Sequence, residues 1–408
     1  MPEPVIVAVT RSPVGRAFKG SLVDLRPDDL AAAIVTAALD QVPELDRTEI
    51  DDLMLGCGLP GGEQGFNMGR VVALLAGLRT VPATTITRYC SSSLQTIRMA
   101  AHAIRAGEGE VFVAAGVEMV SRFTKGSSDS WPETQNPRFA QAGERTAARA
   151  AGGAGEWEPA DGLPDVYIAM GQTAENVAQI EGVTRQEMDE FALRSQTLAV
   201  QSVRNGFSDR EITPVTRPDG TTVAADDGPR PDTSLEKLAA LDPVFRPDGT
   251  ITAGNACPLN DGAAAVVVMS DEKARRLGIT PLARVVSTGV SALDPEIMGL
   301  GPVDATRQAL ERAGMTMRDV DLVELNEAFA AQVIPSARHL DIDVDAQLNV
   351  NGGAIAIGHP FGMTGARIMG TLLNGLATAD KTVGLETMCV GGGQGMAMVI
   401  ERLESAPT

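Results

Sequence analysis

Apolar residues run almost unbroken through PVIVAVTRSP (4–13), the pattern of a buried strand passing into a loop, and Ala and Leu then recur at helical spacing from Pro27 to Val42. IDDLMLG (50–56) predicts a second strand. The same order returns much later: a strand at ARVVSTG (283–289), a helix from Pro302 to Ala313 and a strand at VDLVELN (320–326). In both places a proline opens the helix, and a β-branched residue followed by Asp opens the next strand, at Ile50-Asp51 and Val320-Asp321. TTITRYCSSSLQTIRMAAHAIRAGEGEVFVAAG (84–116) likewise parallels the stretch from about Pro360 to Val399, each joining a long Ala/Met-rich helix to an apolar strand. The chain therefore reads as two related α/β units produced by duplication.

The pattern breaks between residues 122 and 251, where Gly, Ser, Pro, Glu and Arg are enriched from Gly126 to Leu163. TRQEMDEFALRSQTLAVQSVRNGF (184–207) nevertheless has helical periodicity, with Thr184 as cap and Gly206 as stop. The expected organisation is a first half over 1–121 and 252–276, an inserted lid or binding-loop domain over 122–251, and a second half over 277–408.

Composition narrows the class. A chain of 408 residues exceeds one ordinary core. With 44% hydrophobic but only 3% aromatic residues, its interior must be built from small aliphatic side chains. A net charge of −19 without a basic stripe argues against nucleic acid as a partner, while leaving room for a nucleotide-containing ligand held by local arginines and helix N-termini. No apolar run approaches the roughly 20 residues of a membrane span, and the N-terminus lacks a signal-peptide pattern, so a cytoplasmic location is expected. Four cysteines (Cys57, Cys90, Cys257, Cys389) without CxxC or CxxH spacing read as free thiols, neither disulfide scaffold nor metal site.

Four segments could carry chemistry. Cys90 falls where strand-like TTITR meets the helical SSSLQTIRMAAHAI, a position where free amide groups and the helix dipole favour a thiolate nucleophile over a merely buried cysteine. NVNGGAIAIGHPFGMTGAR (349–367) sets His359 among glycines ahead of a helix, which implies close backbone approach and makes His359 the candidate base; His102 and His339 read as structural or surface residues. In ETMCVGGGQGMAMVI (386–400), Cys389 precedes a glycine turn that either points amides into a site or forms a hairpin with an incidental cysteine. Asn326 ends the repeat strand, where it either caps the next helix or faces a ligand at the carboxyl edge of the sheet.

RYCSSSLQ, NEAFA, NGGAIAIGHPFGMTGAR and CVGGGQGMA, in that order, resemble the signature segments of the thiolase family. The likeness extends to VIVAVTRSPVG, MGQTAENVA (170–178) and DGTITAGNACPLNDGAAAVVVMS (248–270); residues 126–165 lack a clear counterpart. It implies a duplicated five-layer α/β/α/β/α fold with a loop domain inserted in the first half, a homodimer or homotetramer, and coenzyme A and acyl-CoA as substrates with no permanently bound cofactor. By motif, Cys90 is the acylated nucleophile, His359 takes its proton, Cys389 is the acid/base for the second substrate, Asn326 holds a water beside His359, and the amides of Cys90 and Gly391 form a second oxyanion site. The same resemblance sets Arg230, Met170, Ala256 and Cys257 along the CoA-binding surface, Arg230 against the adenine.

Three positions depart from the family pattern. Ser93 stands where Gly is usual and is expected to shift the helix start or narrow the pocket; Ala169 replaces a His common in acetoacetyl-CoA-forming members; Cys257 replaces a Ser. The resemblance implies acyl transfer that cleaves 3-ketoacyl-CoA with CoA, or condenses two acetyl-CoA in reverse, as in fatty-acid β-oxidation. The rivals are a non-catalytic acyl-CoA or lipid-binding relative, a cysteine hydrolase, and a decarboxylating ketosynthase, which would need a second His where Asn326 stands.

Overall fold

The structure is a computed structural model that describes residues 2–126, 134–153 and 155–403. Part of the stretch without a family counterpart, residues 127–133 and Ala154, thus lies outside the described residues.

Nine strands carry the fold: β1 (Pro4–Arg11), β2 (Asp52–Gly56), β3 (Ala83–Ile86), β4 (Val111–Met119), β5 (Asn260–Ser270), β6 (Ala283–Ala292), β7 (Leu322–Leu325), β8 (Val383–Val390) and β9 (Gln394–Arg402). Eight helices matter here: α1 (Pro27–Asp40), α2 (Met68–Leu75), α3 (Ser92–Ala106), α4 (Met170–Ile180), α5 (Arg185–Arg204), α6 (Gly301–Ala313), α7 (Ala330–His339) and α8 (Thr364–Ala379). The strand order is β7-β8-β9-β6-β1-β5-β4-β2-β3, with a two-residue strand, Gly15–Arg16, added beside β5.

The duplication is visible in the pairing. In the first half β2 pairs in parallel with both β3 and β4, and β5 runs antiparallel between β4 and β1. In the second half β7 pairs in parallel with β8, and β9 runs antiparallel between β8 and β6. The counterpart of β3 shrinks to one bridge, Val323 to Leu348. Among the described residues the two halves of the sheet are joined by β1 pairing with β6 at Val5–Arg284 and Ile6–Ala283.

Alternation along these strands sorts the core into three clusters. Val5, Val7, Leu53, Leu55, Val113 and Val267 pack under α1 and α2, whereas Ile6, Met54, Ala114 and Val266 face α3 and α8. On the other sheet Met388, Met396 and Met398 join that same central cluster, while Leu385, Ala397 and Val399 turn outward to α6 and α7. The result is the α/β/α/β/α stack expected above, with α3 and α8 buried between two sheets. Such helices must be apolar almost all round, which the Ala/Met-rich sequences supply.

Residues between β4 and β5 are tied down at several points. Buried Arg11 on β1 pairs with Glu211 (3.1 Å) and Asp226 (2.7 Å). Glu296, just before α6, accepts from Trp157 Nε1 (2.7 Å) and from the Asp165 amide (2.9 Å). Thr184 and Glu187 form a capping box at the start of α5, and Gly206 ends that region at φ +76°.

Candidate active site

The N-termini of the two central helices, which occupy equivalent places in the two halves, lie side by side. A Cβ on Gly365 would fall 2.3 Å from the Leu94 amide nitrogen, so glycine is required for this approach. Ser93 lies inside the same contact. Its hydroxyl accepts from the Ala366 amide at 2.9 Å, satisfying one of the free N–H groups of α8. The structure thereby gives Ser93 a capping role.

Cys90 sits in a single 3₁₀ turn, Tyr89–Ser91, that runs directly into α3. Tyr89 holds a left-handed φ of +44°, costly for an aromatic residue, and this turns the cysteine toward the glycine turn between β8 and β9. That turn has Gly392 and Gly393 at φ +77°, and its Gly391 amide faces the Cys90 sulfur. Met170, at the start of α4, and the Tyr89 ring lie against Gly391.

The pull of the helix terminus toward thiolate is opposed here. Burial pushes the Cys90 thiol up to about 12; the Gly391 amide opposes this, and the Glu118 charge adds to it. Desolvation of the anion thus works against the helix terminus and favours the thiol form, which calls for a base.

His359 is buried and oriented by α8. Its Nδ1 lies 2.6 Å from Thr364 Oγ1, whose own proton goes to the Pro360 carbonyl at 2.8 Å. Thr364 must therefore accept, which places the imidazole proton on Nδ1 and leaves Nε2 basic. Burial, aided by the Arg367 charge, pushes the imidazolium pKa down to about 3, so the ring is neutral. Asn326 Nδ2 approaches Nε2 at 3.3 Å. Asn326 does not cap a helix, because α7 begins only at Ala330 with Phe329 before it; its buried Oδ1 has no hydrogen-bond partner among the described residues.

Cys389 is buried on β8, and burial, then the neighbouring Cys90 and Cys257, push its thiol well up. Cys257 faces Cys90 and Cys389, and its amide donates to the Ala328 carbonyl at 3.0 Å, beside the Ala256–Phe329 bridge. The NEAFA segment and residues 256–257 thus pack as one wall. Arg230 stands apart from this cluster. It lines a cavity of about 350 Å³ with Gln196, Val200 and Arg204, and a small neighbouring cavity that reaches Gly254, Pro258 and Ala356.

Side chains overlooked in the sequence hold these parts in place. Glu118, fully buried at the end of β4, accepts from the amides of Gly58 (2.6 Å) and Gly362 (2.9 Å) and from Gln64 Nε2 (2.7 Å), fixing the loop after His359 to the first half. Glu327 accepts from Ser195 Oγ (2.6 Å), Asn349 Nδ2 (2.8 Å) and the Ile355 amide (3.1 Å), joining α5 to the glycine loop. Gln332, in the first turn of α7, lies 3.3 Å from Cys389 Sγ. A carboxylate inside the otherwise apolar GVEMV was a usable signal for Glu118, since buried charges are kept only with partners. Gln332 gave no such signal in a helix that shows several polar residues.

A duplicated five-layer α/β stack with a cysteine and a histidine at adjoining helix N-termini defines an enzyme class built for covalent acyl transfer. The chain belongs to the thiolase family: residues 4–272 match the thiolase N-terminal domain and residues 279–402 the thiolase C-terminal domain. It is 43% identical to a 3-ketoacyl-CoA thiolase of Marinomonas sp. (strain MWYL1), covering 98% of each chain. It is 42% identical to a 3-oxoadipyl-CoA/3-oxo-5,6-dehydrosuberyl-CoA thiolase of Escherichia coli (strain K12), covering 99% of this chain and all of the other. The crystal structure of the Bacillus anthracis acetyl-CoA acetyltransferase matches with a TM-score of 0.85 at 39% identity, over 99% of each chain.

Proposed function

We propose that this enzyme cleaves 3-ketoacyl-CoA with coenzyme A, and runs the reverse condensation of two acetyl-CoA, through an acyl thioester on Cys90. The observation that carries this reading is the meeting of the two helix starts that follow Cys90 and His359, with His359 Nδ1 bound to Thr364 at 2.6 Å so that Nε2 keeps its lone pair to take a proton.

In the degradative direction His359 Nε2 takes the Cys90 proton, and the sulfur attacks the 3-keto carbon. Collapse breaks the carbon–carbon bond, and the departing acetyl-CoA enolate takes a proton from Cys389. Free CoA then gives its proton to the Cys389 thiolate and attacks the acyl-Cys90 thioester. Cys90 leaves as thiolate and recovers its proton from His359, so every group is restored. The amides of Cys90 and Gly391 are assigned to one developing oxyanion. The unpartnered Oδ1 of Asn326 is suited to hold a water that serves the other. Arg230, Met170, Ala256 and Cys257 are assigned to the CoA arm, with Arg230 at the adenine end.

We place the protein in the cytoplasm as a homo-oligomer acting in fatty-acid or related acyl degradation. Supporting association, β3 ends the sheet with an unpaired edge, and the neighbouring Phe66 is 95% exposed. Among the described residues no helix is long and apolar enough to cross a membrane.

The test is CoA-dependent loss of ketoacyl absorbance with acetoacetyl-CoA, a longer 3-ketoacyl-CoA and 3-oxoadipyl-CoA. Cleavage by wild type and none by Cys90→Ala is the expected result. Release of free acid in place of acyl-CoA would make the protein a hydrolase.

A further inference from the structure

We propose that Gln332 is a positioning residue for Cys389: its side-chain –NH2 donates to the Cys389 sulfur and stabilises the thiolate that forms when the carbon–carbon bond breaks. The inference rests on the acid/base reading of Cys389 given above.

Gln332 is fully buried in the first turn of α7, and one end of its amide meets two groups, the Asn326 carbonyl oxygen and, at 3.3 Å, Cys389 Sγ. A carbonyl oxygen cannot face another carbonyl oxygen without repulsion. The amide therefore turns its nitrogen to that end, donating to Asn326 O at 3.2 Å, while its oxygen accepts from the Val333 amide at 3.1 Å. Two hydrogens on that nitrogen serve two acceptors, the second being sulfur.

The need for such a donor is clear from what else faces Cys389. The titratable neighbours are Cys90 and Cys257, whose ionisation would repel a second thiolate. β8 is buried on both faces, so water cannot solvate the charge from solvent. A charge-assisted N–H···S contact supplies what the strand lacks. It also ties Cys389 to the backbone of Asn326, the residue that faces His359, so that the two proton-handling groups keep one register.

The experiment separates the two half-reactions in the full-length protein. Exchange of the acetyl-CoA α-protons in D2O, followed by NMR, needs the Cys389 thiolate; acylation of Cys90 by acetyl-CoA, followed by mass, does not. Gln332→Leu removes the donor, and Gln332→Glu sets a carboxylate against the sulfur. The expected order of exchange rates at pH 8 is wild type, then Leu about tenfold slower, then Glu slower still, each tenfold corresponding to about one unit in the thiol pKa, with Cys90 acylation within about twofold throughout. Cys389→Ala is the control.

If Cys389→Ala abolishes exchange while both Gln332 variants exchange like wild type, the role of Gln332 is overturned and the acid/base reading stands. If Cys389→Ala itself exchanges like wild type, the acid/base reading falls, and this inference with it. Equal losses of acylation and exchange in both variants would mark Gln332 as structural only.

Discussion

Cys389 is a buried thiol and Cys90 a half-buried one, and their predicted failures differ because they act on different bonds. Cys90→Ala should abolish acylation, seen as loss of the acyl mass adduct; Cys389→Ala should keep the adduct and lose carbon–carbon cleavage. With its pKa raised to about 12, Cys90 should also label with iodoacetamide at a rate still climbing between pH 9 and 11, where an exposed thiol has levelled off. His359 carries a stability signature as well. Its folded pKa of about 3 lies below the roughly 6.5 of an unfolded chain, so between those values only the unfolded state binds the proton, and stability falls as pH drops through that window. His359→Asn should show a shallower decline in urea midpoint from pH 6.5 to 3 than wild type; parallel declines would mean that the imidazole is not held neutral. At this scale the sequence made Cys90 and His359 conspicuous by type and neighbours. The protonation state of each depends on burial and on Thr364 and Arg367, which no local pattern reveals.

Two elements, α3 and α8, bring the halves of the chemistry together, and their approach depends on Gly365. Gly365→Ala would put a methyl group against the backbone of Leu94, where no flexible side chain can yield. Helix separation, with a cost of about 1–3 kcal/mol, is expected, together with loss of Cys90 acylation, because the helix starts that follow Cys90 and His359 would move apart. Retained acylation in a destabilised variant would show that the site tolerates the shift. The helices and strands themselves are legible in the sequence: its pattern predicts α1 over Pro27–Val42, which ends at Asp40, and the repeat strand over 320–326, which spans Leu322–Leu325. Asn326 is not, since a residue between strand and helix looks the same whether it caps or faces a site, and only the late start of α7 at Ala330 decides.

Across the whole molecule, the chain that runs between β4 and β5 is coupled to the first sheet through a buried ion triad. Arg11→Met would remove the hydrogen-bonded cation of Glu211 and Asp226, leaving them only the more distant Arg367 charge, at about 3–5 kcal/mol. Adding Asp226→Asn should return part of that loss, read as urea midpoints; a neutral single substitution would show the pair to be incidental. The sequence by itself determined the duplicated α/β plan, because Ala/Leu helices and β-branched strands repeat in the same order, and it determined the identity of the chemical groups, because a cysteine before a serine run and a histidine among glycines are rare local events. Only the tertiary structure decided which state those groups occupy and who holds them. Glu118, Glu327 and Gln332 act across separations of tens to hundreds of residues, and the surroundings that raise the Cys90 thiol and keep His359 neutral exist only once two distant helix ends come together.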